Sequence, residues 1–513
     1  MMLPWLILIP FIAGLLCWQA ERINAALPRW IALLSMLLVL VLSLTLWSTG
    51  NLSLAPLPGV APSWTSEFQL PWIPSFGISF HLAMDGLGVL MVALTGLLGV
   101  FSILGAWKEN HSRTGLFHLN LLWLLGAVIG IFTAVDMFLF FFFWEVMLVP
   151  TFFLIALWGH QGSDRRRHVN AAVKFFIYTQ VSGLLMLAAI LGLVLVHYNA
   201  TSTLTFDYGE LLGTPFSGAT GMVLMLGFFI AFAVKFPAMP LHAWMPDTQA
   251  EGPTSGAVDL SGILLKTGAF GIIRFAIPLF PDASSEFAMI AMILGVIGII
   301  YGALVAFSQT DIKRLVSWSN VSHMGFVLVA LYSGSVIAMQ GAVVLMIASG
   351  LTTGGLCLIC GQLYHRASTR DLRQMGGLWG RIHYLPGMSM FFAIAALGLP
   401  GTINFAGEFL ILVGTFQDHP WIAAISTIGM VLGSVYALIM IHRAYFGKPA
   451  SASDASSPLP GLDRRELGMM TCLAVLVVLL GLYPQPMLDA SSATMSGVHQ
   501  WFQHASSQPV SAR

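Results

Sequence analysis

The sequence predicts an all-α polytopic membrane protein of about 14 transmembrane helices, built from two inverted five-helix repeats with broken helices 7 and 12. Three observations carry this expectation. Of 513 residues, 57% are hydrophobic and 9% are charged, where soluble domains carry about 25% charged residues. The apolar residues gather into about fourteen runs of the ~20 residues that a bilayer span needs. Two of those runs, five apart in the series, are interrupted by proline beside an ionisable residue.

The spans are placed at 3–20, 28–48, 85–107, 115–134, 136–158, 168–197, 219–246, 256–279, 286–307, 312–333, 335–363, 386–416, 421–446 and 466–487. No basic segment precedes the first run and no small-residue cleavage site follows it, so it reads as a retained span. Charge supports the count, because Lys and Arg crowd cytoplasmic loops. Arg22 and Arg29, Lys108 and Arg113, Arg165 to Arg167, Lys313 and Arg314, Arg366 to Arg381, and Arg443 to Arg465 all follow odd-numbered spans. The loops after even-numbered spans carry neither residue. Both termini are therefore expected on the outer, periplasmic side. The organisation follows as a single membrane domain: helices 1–3 in 1–114, a first repeat in 115–279, a second in 286–446, and helix 14 with a tail in 466–513.

Between the spans, the Pro- and Trp-rich loop Asn51–Phe80 contains alternating stretches such as FGISFHL, which predict a short hairpin at the membrane surface. Gly447–Asp463 reads as a polar Pro/Ser linker, and the tail after the last span is expected to hold no further long helix. There is no dinucleotide or Walker motif and no cysteine ladder. Cys357 and Cys360 share a helical face without nearby partners and read as packing residues. A formal net charge of zero excludes a strongly basic, nucleic-acid-binding surface.

The functional expectation rests on the charges inside the spans. Lys235 lies deep in the seventh run, two residues before Pro237. A charge at the bilayer centre costs about 2.5–3.5 kcal/mol on insertion scales, and an interior proline about 3 kcal/mol. A helix that only had to span would carry neither. The twelfth run breaks at Pro400–Gly401, with Glu408 close by. Interrupted spans at matching places, with buried ionisable groups beside them, are how ion pathways are built in transporters. Glu145, inside FLFFFFWEVMLVP, is either a proton-carrying acid or half of a structural ion pair with Lys235. Lys266, in the eighth run, is read as the next relay member, and Asp259, two turns before it on the same face, as a feeder from the cytoplasmic end. His323 either passes protons near neutral pH or caps the polar patch of Ser317, Ser319, Asn320 and Ser322. Arg274 and Lys174 are expected to snorkel. His242 and Trp244 read as interfacial anchors, and His160 and His168 as solvated.

The runs FFFFWEVMLVP, VKFPAMPLHAWMPDTQAEGPTSGAVDLSGILLKTG, DIKRLVSWSNVSHMGF, LPGTINFAGEF, HRAYFGK and GLYPQPMLD carry a resemblance over nearly the whole chain. They are similar to the antiporter-like, proton-translocating membrane chains of bacterial NADH–quinone oxidoreductase, respiratory complex I. Among these they resemble the M type and its mitochondrial counterpart, NADH dehydrogenase subunit 4. The resemblance implies that Glu145 and Lys235 are the buried acid–lysine pair, Lys266 the connecting lysine, Glu408 the acid of the second half-channel, and His323 a member of the central hydrated axis. L- and N-type chains usually have lysine where Glu408 stands. One departure is Ser349-Gly350-Leu351, where many relatives read H-G-L; water or Ser349 then substitutes for that histidine. The resemblance further implies that FMN, iron–sulfur clusters and the quinone site reside in other subunits and that none is held in this chain. The implied partners are the antiporter-like chains L and N, small membrane-arm subunits and the lipid bilayer, in a bacterial inner membrane. The other readings are a subunit of a multi-chain monovalent cation/proton antiporter, a membrane arm of a gas-metabolising hydrogenase, and a purely structural arm segment.

Overall fold

The structure, a computed structural model, describes residues 2–53, 62–108, 112–160, 166–446 and 459–507. The first two spans, α1 (Leu3–Ala20) and α2 (Leu27–Thr49), each begin with a proline in the first turn, where its missing N–H has no helical partner to lose. Strands β1 (Ser66–Ile73) and β2 (Ile78–Met84) then form the expected hairpin, antiparallel with Ser66 opposite Met84 and an irregularity between Pro71 and Ile73. Gly77 closes its turn at φ +68°, and a Cβ there would stand 2.0 Å from the Leu204 carbonyl oxygen.

Helix α3 (Gly86–Gly105) starts on an Asp85 side chain that accepts from Gly88 N at 2.9 Å. Then follow α4 (Thr114–Thr133), the fifth span as α5 (Met137–Val146) and α6 (Leu148–Trp158), α7 (Arg167–Thr201) and the short α8 (Tyr208–Leu211). The seventh span is α9 (Gly218–Lys235), an irregular segment, and α10 (Met245–Glu251). The eighth is α11 (Thr254–Asp259), a π turn at Leu260–Leu264, α12 (Leu265–Gly271), a second π turn at Ile272–Ala276, and α13 (Ile277–Leu279). The second half contains α14 (Pro281–Ser308), α15 (Ile312–Tyr332), α16 (Val336–Ala367), the broken twelfth span α17 (Leu385–Ala396) and α18 (Ile403–Asp418), and α19 (Pro420–Ile441). Helix α20 (Arg464–Leu482) opens on a reciprocal Asp463–Glu466 capping box. Among the described residues, thirteen spans are long and apolar enough to cross a membrane. The two short halves of the twelfth complete the expected set.

The eighth span and α16 are buried along their whole apolar windows, whereas α2 and α20 turn most of their surface outwards. Exposed Leu34, Val41, Leu479 and Leu482 on those outer helices are what a lipid-facing surface requires. Helices approach closely through small residues, as expected where burial of apolar surface gives little drive between spans. A Cβ on Gly325 would stand 2.7 Å from the Gly295 carbonyl oxygen, which fixes α15 against α14.

Several expectations are corrected. The tail does hold a further helix, α21 (Gln485–Ser507). It escapes an apolar-run reading because only one side is apolar; Met487, Ala490, Met495 and Val498 are buried while Gln500 and Gln503 stay exposed. Arg274 does not snorkel: it is 4% exposed and ion-paired with Asp85. His242 and Trp244 are buried, the indole N–H donating to the Val234 carbonyl at 2.7 Å. His168 is buried and His160 stacks edge-on against Tyr364, so neither is freely solvated. Lys174 bonds Asp247 at 2.7 Å. The linker expectation falls largely on 447–458, outside the described residues.

Two ionic clusters tie the ends together. At the end bearing the basic loops, Asp247 joins Lys174 and Arg314, and Arg370 joins Glu251 and Asp311 at 3.2 Å each. At the opposite end, His81 of β2 lies between Asp207 and Glu67, the latter at 2.8 Å. Burial disfavours the charged ring, but the hydrogen bonds and negative charges of Asp207 and then Glu67 outweigh it and raise the imidazole above its usual range.

Because the folded value is raised, the stabilisation from His81 is complete below about pH 6.5, the unfolded imidazole value, and is lost as pH rises through the folded value. Amide exchange across residues 66–84, corrected for intrinsic rates, is expected to quicken between pH 6 and pH 9, and His81→Gln to remove that dependence. Gly86→Val is expected to loosen α21, because a Cβ at 86 would stand 1.7 Å from the Ala490 carbonyl oxygen. Overpacking of this kind costs about 1–3 kcal/mol, and limited proteolysis of the C-terminal helix reads it directly.

Candidate functional site

The charged residues of the spans sit where the helices are interrupted. Glu145 occupies the last turn of α5, two residues before the Met147 turn that separates α5 from α6. Its carboxylate fits only because α7 presents a glycine: a Cβ on Gly183 would stand 1.9 Å from Oε1. Lys235 is the last residue of α9, and Pro237 follows without an N–H to continue the ladder. At a helix C-terminus the unpaired carbonyls carry partial negative charge, so a cation is favoured at that point.

Lys235 is fully buried, and its Nζ has no hydrogen-bond partner among the described residues. It faces rings instead, 5.0 Å from the Trp144 centroid and 5.7 Å from that of Phe175. Glu145 and Lys235 therefore stand near each other through Trp144 without a direct ion contact. Glu145 Oε1 is likewise unpartnered. A structural salt bridge is not what this geometry contains.

The eighth span passes close behind α9, since a Cβ on Gly268 would meet the Phe232 carbonyl oxygen at 2.6 Å. On it, Lys266 donates to the Ser261 carbonyl at 2.7 Å, an oxygen that Asn320 Nδ2 of α15 also approaches at 3.4 Å. Ser261 lies in the first π turn, the kind of helix distortion frequent at functional sites. That turn also breaks the regular spacing between Asp259 and Lys266. Asp259 turns to α3, accepting from Ser102 Oγ at 2.9 Å, rather than bonding Lys266. Gln249 donates to Cys357 at 3.1 Å beside Ser261, so Cys357 belongs to this polar cluster and is more than a packing residue.

One turn along α15 from Asn320, His323 Nδ1 lies 3.2 Å from Glu408 Oε1, and both side chains are at most 5% exposed. The pairing places His323 beside the acid of α18. Gly398, at φ +79° in the break of the twelfth span, makes room for the carboxylate, because a Cβ there would be 2.7 Å from Glu408 Oε2. Asn404, one turn before Glu408, is fully buried with neither side-chain atom partnered. Ser349 is also fully buried, and its hydroxyl donates to the Met346 carbonyl at 3.2 Å.

The structure thus joins Lys266 to Asn320 through Ser261 and His323 to Glu408, and sets Glu145 and Lys235 on either side of Trp144. It leaves Asp259 on a separate contact with α3. Sequence reasoning missed Gly183, Gly398, Gln249 and Asn404. An amide within an apolar run was the signal for Asn404; Gln249, between the seventh and eighth runs, and the glycines gave none. Buried polar atoms are ordinarily paired, whereas Lys235 Nζ, Asn320 Oδ1, His323 Nε2 and both Asn404 side-chain atoms have no hydrogen-bond partner among the described residues. Among the described residues no group of three or more His, Cys, Asp or Glu could hold a metal ion.

The comparisons with known proteins bear on this arrangement. Residues 134–438 match the family model described as NADH:quinone oxidoreductase/Mrp antiporter, TM. The chain is 64% identical over 502 residues to NADH-quinone oxidoreductase subunit M of Pseudomonas aeruginosa, covering 98% of both chains. It is 62% identical over 502 residues to the protein of that name from Escherichia coli, again covering 98% of each. Among solved structures it is similar to a chain of respiratory complex I from Thermus thermophilus with bound NADH, at 30% identity and TM-score 0.86, covering 98% of this chain and 100% of that one. With more than half its length matched and such relatives along nearly all of it, the chain belongs to the NADH:quinone oxidoreductase/Mrp antiporter transmembrane family.

Proposed function

We propose that this chain is a proton-translocating membrane-arm subunit of an NADH:quinone oxidoreductase, coupling electron transfer from NADH to quinone to proton movement across the membrane. The observation that carries the reading is the series Glu145, Lys235, Lys266, His323 and Glu408, four buried titratable groups and the half-buried Glu145, each beside a helix interruption or facing a group that is. Relatives at 62–64% identity bear the corresponding name. The electron carriers, FMN and iron–sulfur clusters, and the quinone site lie in companion subunits, and the membrane-arm partners of this chain include the antiporter-like L and N chains.

In this mechanism the charge on Glu145 sets how tightly Lys235 holds its proton, because an opposite charge nearby favours the ammonium and its withdrawal releases it. Lys235 passes a proton to Lys266, while Asp259 keeps its separate bond to Ser102 of α3. The line continues past Asn320 to His323 and Glu408, and Glu408 releases outwards. Water or Ser349 substitutes where many relatives carry histidine. The alternation of basic loops supports an inner-membrane orientation with both termini periplasmic.

The test uses inverted membrane vesicles from wild type and from a Lys235→Ala strain, with assembly checked on native gels. NADH oxidation and NADH-driven interior acidification are both expected to fall severalfold in the assembled variant. Unchanged values, with sodium-driven proton exchange lost instead, would replace this reading by the antiporter one. Gly183→Ala is expected to lower acidification as far as Glu145→Gln does, since both disturb the same carboxylate. Gly218→Ala, where a Cβ meets nothing within 4 Å, leaves pumping unchanged.

A further inference from the structure

Arg274 is the third charged residue of the eighth span, and the relay has no use for it. It lies in the second π turn, eight residues beyond Lys266, roughly 12 Å along the helix axis at 1.5 Å per residue. The displacement is towards the end opposite the basic loops. Its guanidinium is ion-paired with Asp85, which is fully buried. Asp85 in turn caps α3 through Gly88 N at 2.9 Å and accepts Thr494 Oγ1 of α21 at 2.6 Å. The Arg274 guanidinium carbon stands 5.2 Å from the Trp64 ring and 5.4 Å from that of Phe270. Tyr208 packs against both Trp64 and Phe275 beside it. The hairpin approach, α3, α8, the eighth span and the C-terminal helix therefore converge on one side chain.

From this convergence we infer that Arg274 is the outer seal of the first half of the chain, keeping protons of the outer compartment away from Lys266 and Lys235. A coupled pump must not let its buried lysines equilibrate with both sides at once. A fixed positive charge in a dry ring opposes the passage of a hydrated proton, as charged constrictions do in selective pores. Arginine suits the task where lysine in the same span does not, because guanidinium keeps its proton throughout the physiological range. Asp85 offsets the burial of that charge, and its own oxygens are occupied by the α3 N-terminus and Thr494. Protons that reach Lys266 are thus left with the lateral route to Glu408.

The inference rests on the proposed proton-translocating function, and the experiment separates the two. The double variant Arg274→Met/Asp85→Asn removes both charges together, so no uncompensated ion is left buried, and asparagine still caps α3. The purified complex carrying it is placed in liposomes. Passive proton flux under an imposed pH gradient is measured without NADH, and quinone reduction is measured with uncoupler present. The expected result is quinone reduction close to wild type, passive flux raised severalfold, and acidification per NADH correspondingly lower. Adding Lys235→Ala to the double variant abolishes the extra flux if it runs through the relay. An assembled double variant as tight as wild type overturns the seal, and so does extra flux that persists without Lys235. If Lys235→Ala in the otherwise wild-type complex leaves acidification intact, the relay itself fails, and that result is read independently of the passive flux.

Discussion

A charge inside an apolar bundle needs dipoles at hand, and continuous helices have none to spare because their N–H and C=O groups bond to each other. Most of this architecture follows from that constraint. Lys235 stands at the C-terminus of α9, where carbonyls lack helical partners. Glu145 ends α5, Lys266 reaches back to a carbonyl of a π turn, and Glu408 lies just past the break between α17 and α18. Interruption and charge are two parts of one solution: the breaks supply the polar surroundings, and the charges give those breaks their use.

The second requirement is space, which glycines provide. The Glu145 carboxylate touches the position a Cβ would fill on Gly183, and that of Glu408 does the same at Gly398. Gly268 lets the eighth span press on α9, and Gly350 lies against the carbonyl of Gly262. Interiors packed this densely transmit small displacements without absorbing them. A shift of the α5 carboxylate would therefore be felt at Trp144 and at the Lys235 ammonium resting on its ring.

The two ends of the molecule are built differently. At the basic end, Asp247, Glu251 and Asp311 gather cations from α7, α15 and the loop before α17, which ties the end of the seventh span to both halves. At the other end the closure is more apolar, with Trp64, Phe270 and Tyr208 around the Arg274–Asp85 pair and α21 laid across it. The hairpin and its His81 clamp belong to this closed face, the end where the first half must be kept from leaking.

The sequence by itself determined the span count, the two broken helices and the burial of Lys235, Lys266 and Glu408. Each of these follows from local rules: hydrophobic length, the cost of a charge among apolar neighbours, and the inability of proline to continue a helix. Tertiary structure alone decided what each group faces. Lys235 meets aromatic rings in place of a carboxylate, His323 turns to Glu408 in place of its serine neighbours, and Asp259 turns to Ser102 in place of Lys266. Partners from elements 85 to 157 residues away do not register in hydropathy or spacing. The amphipathic α21 and the buried Arg274 escaped for a related reason. Whether a polar residue faces solvent, lipid or a buried acid depends on which other helix lies against it, and that is settled only when the whole bundle packs.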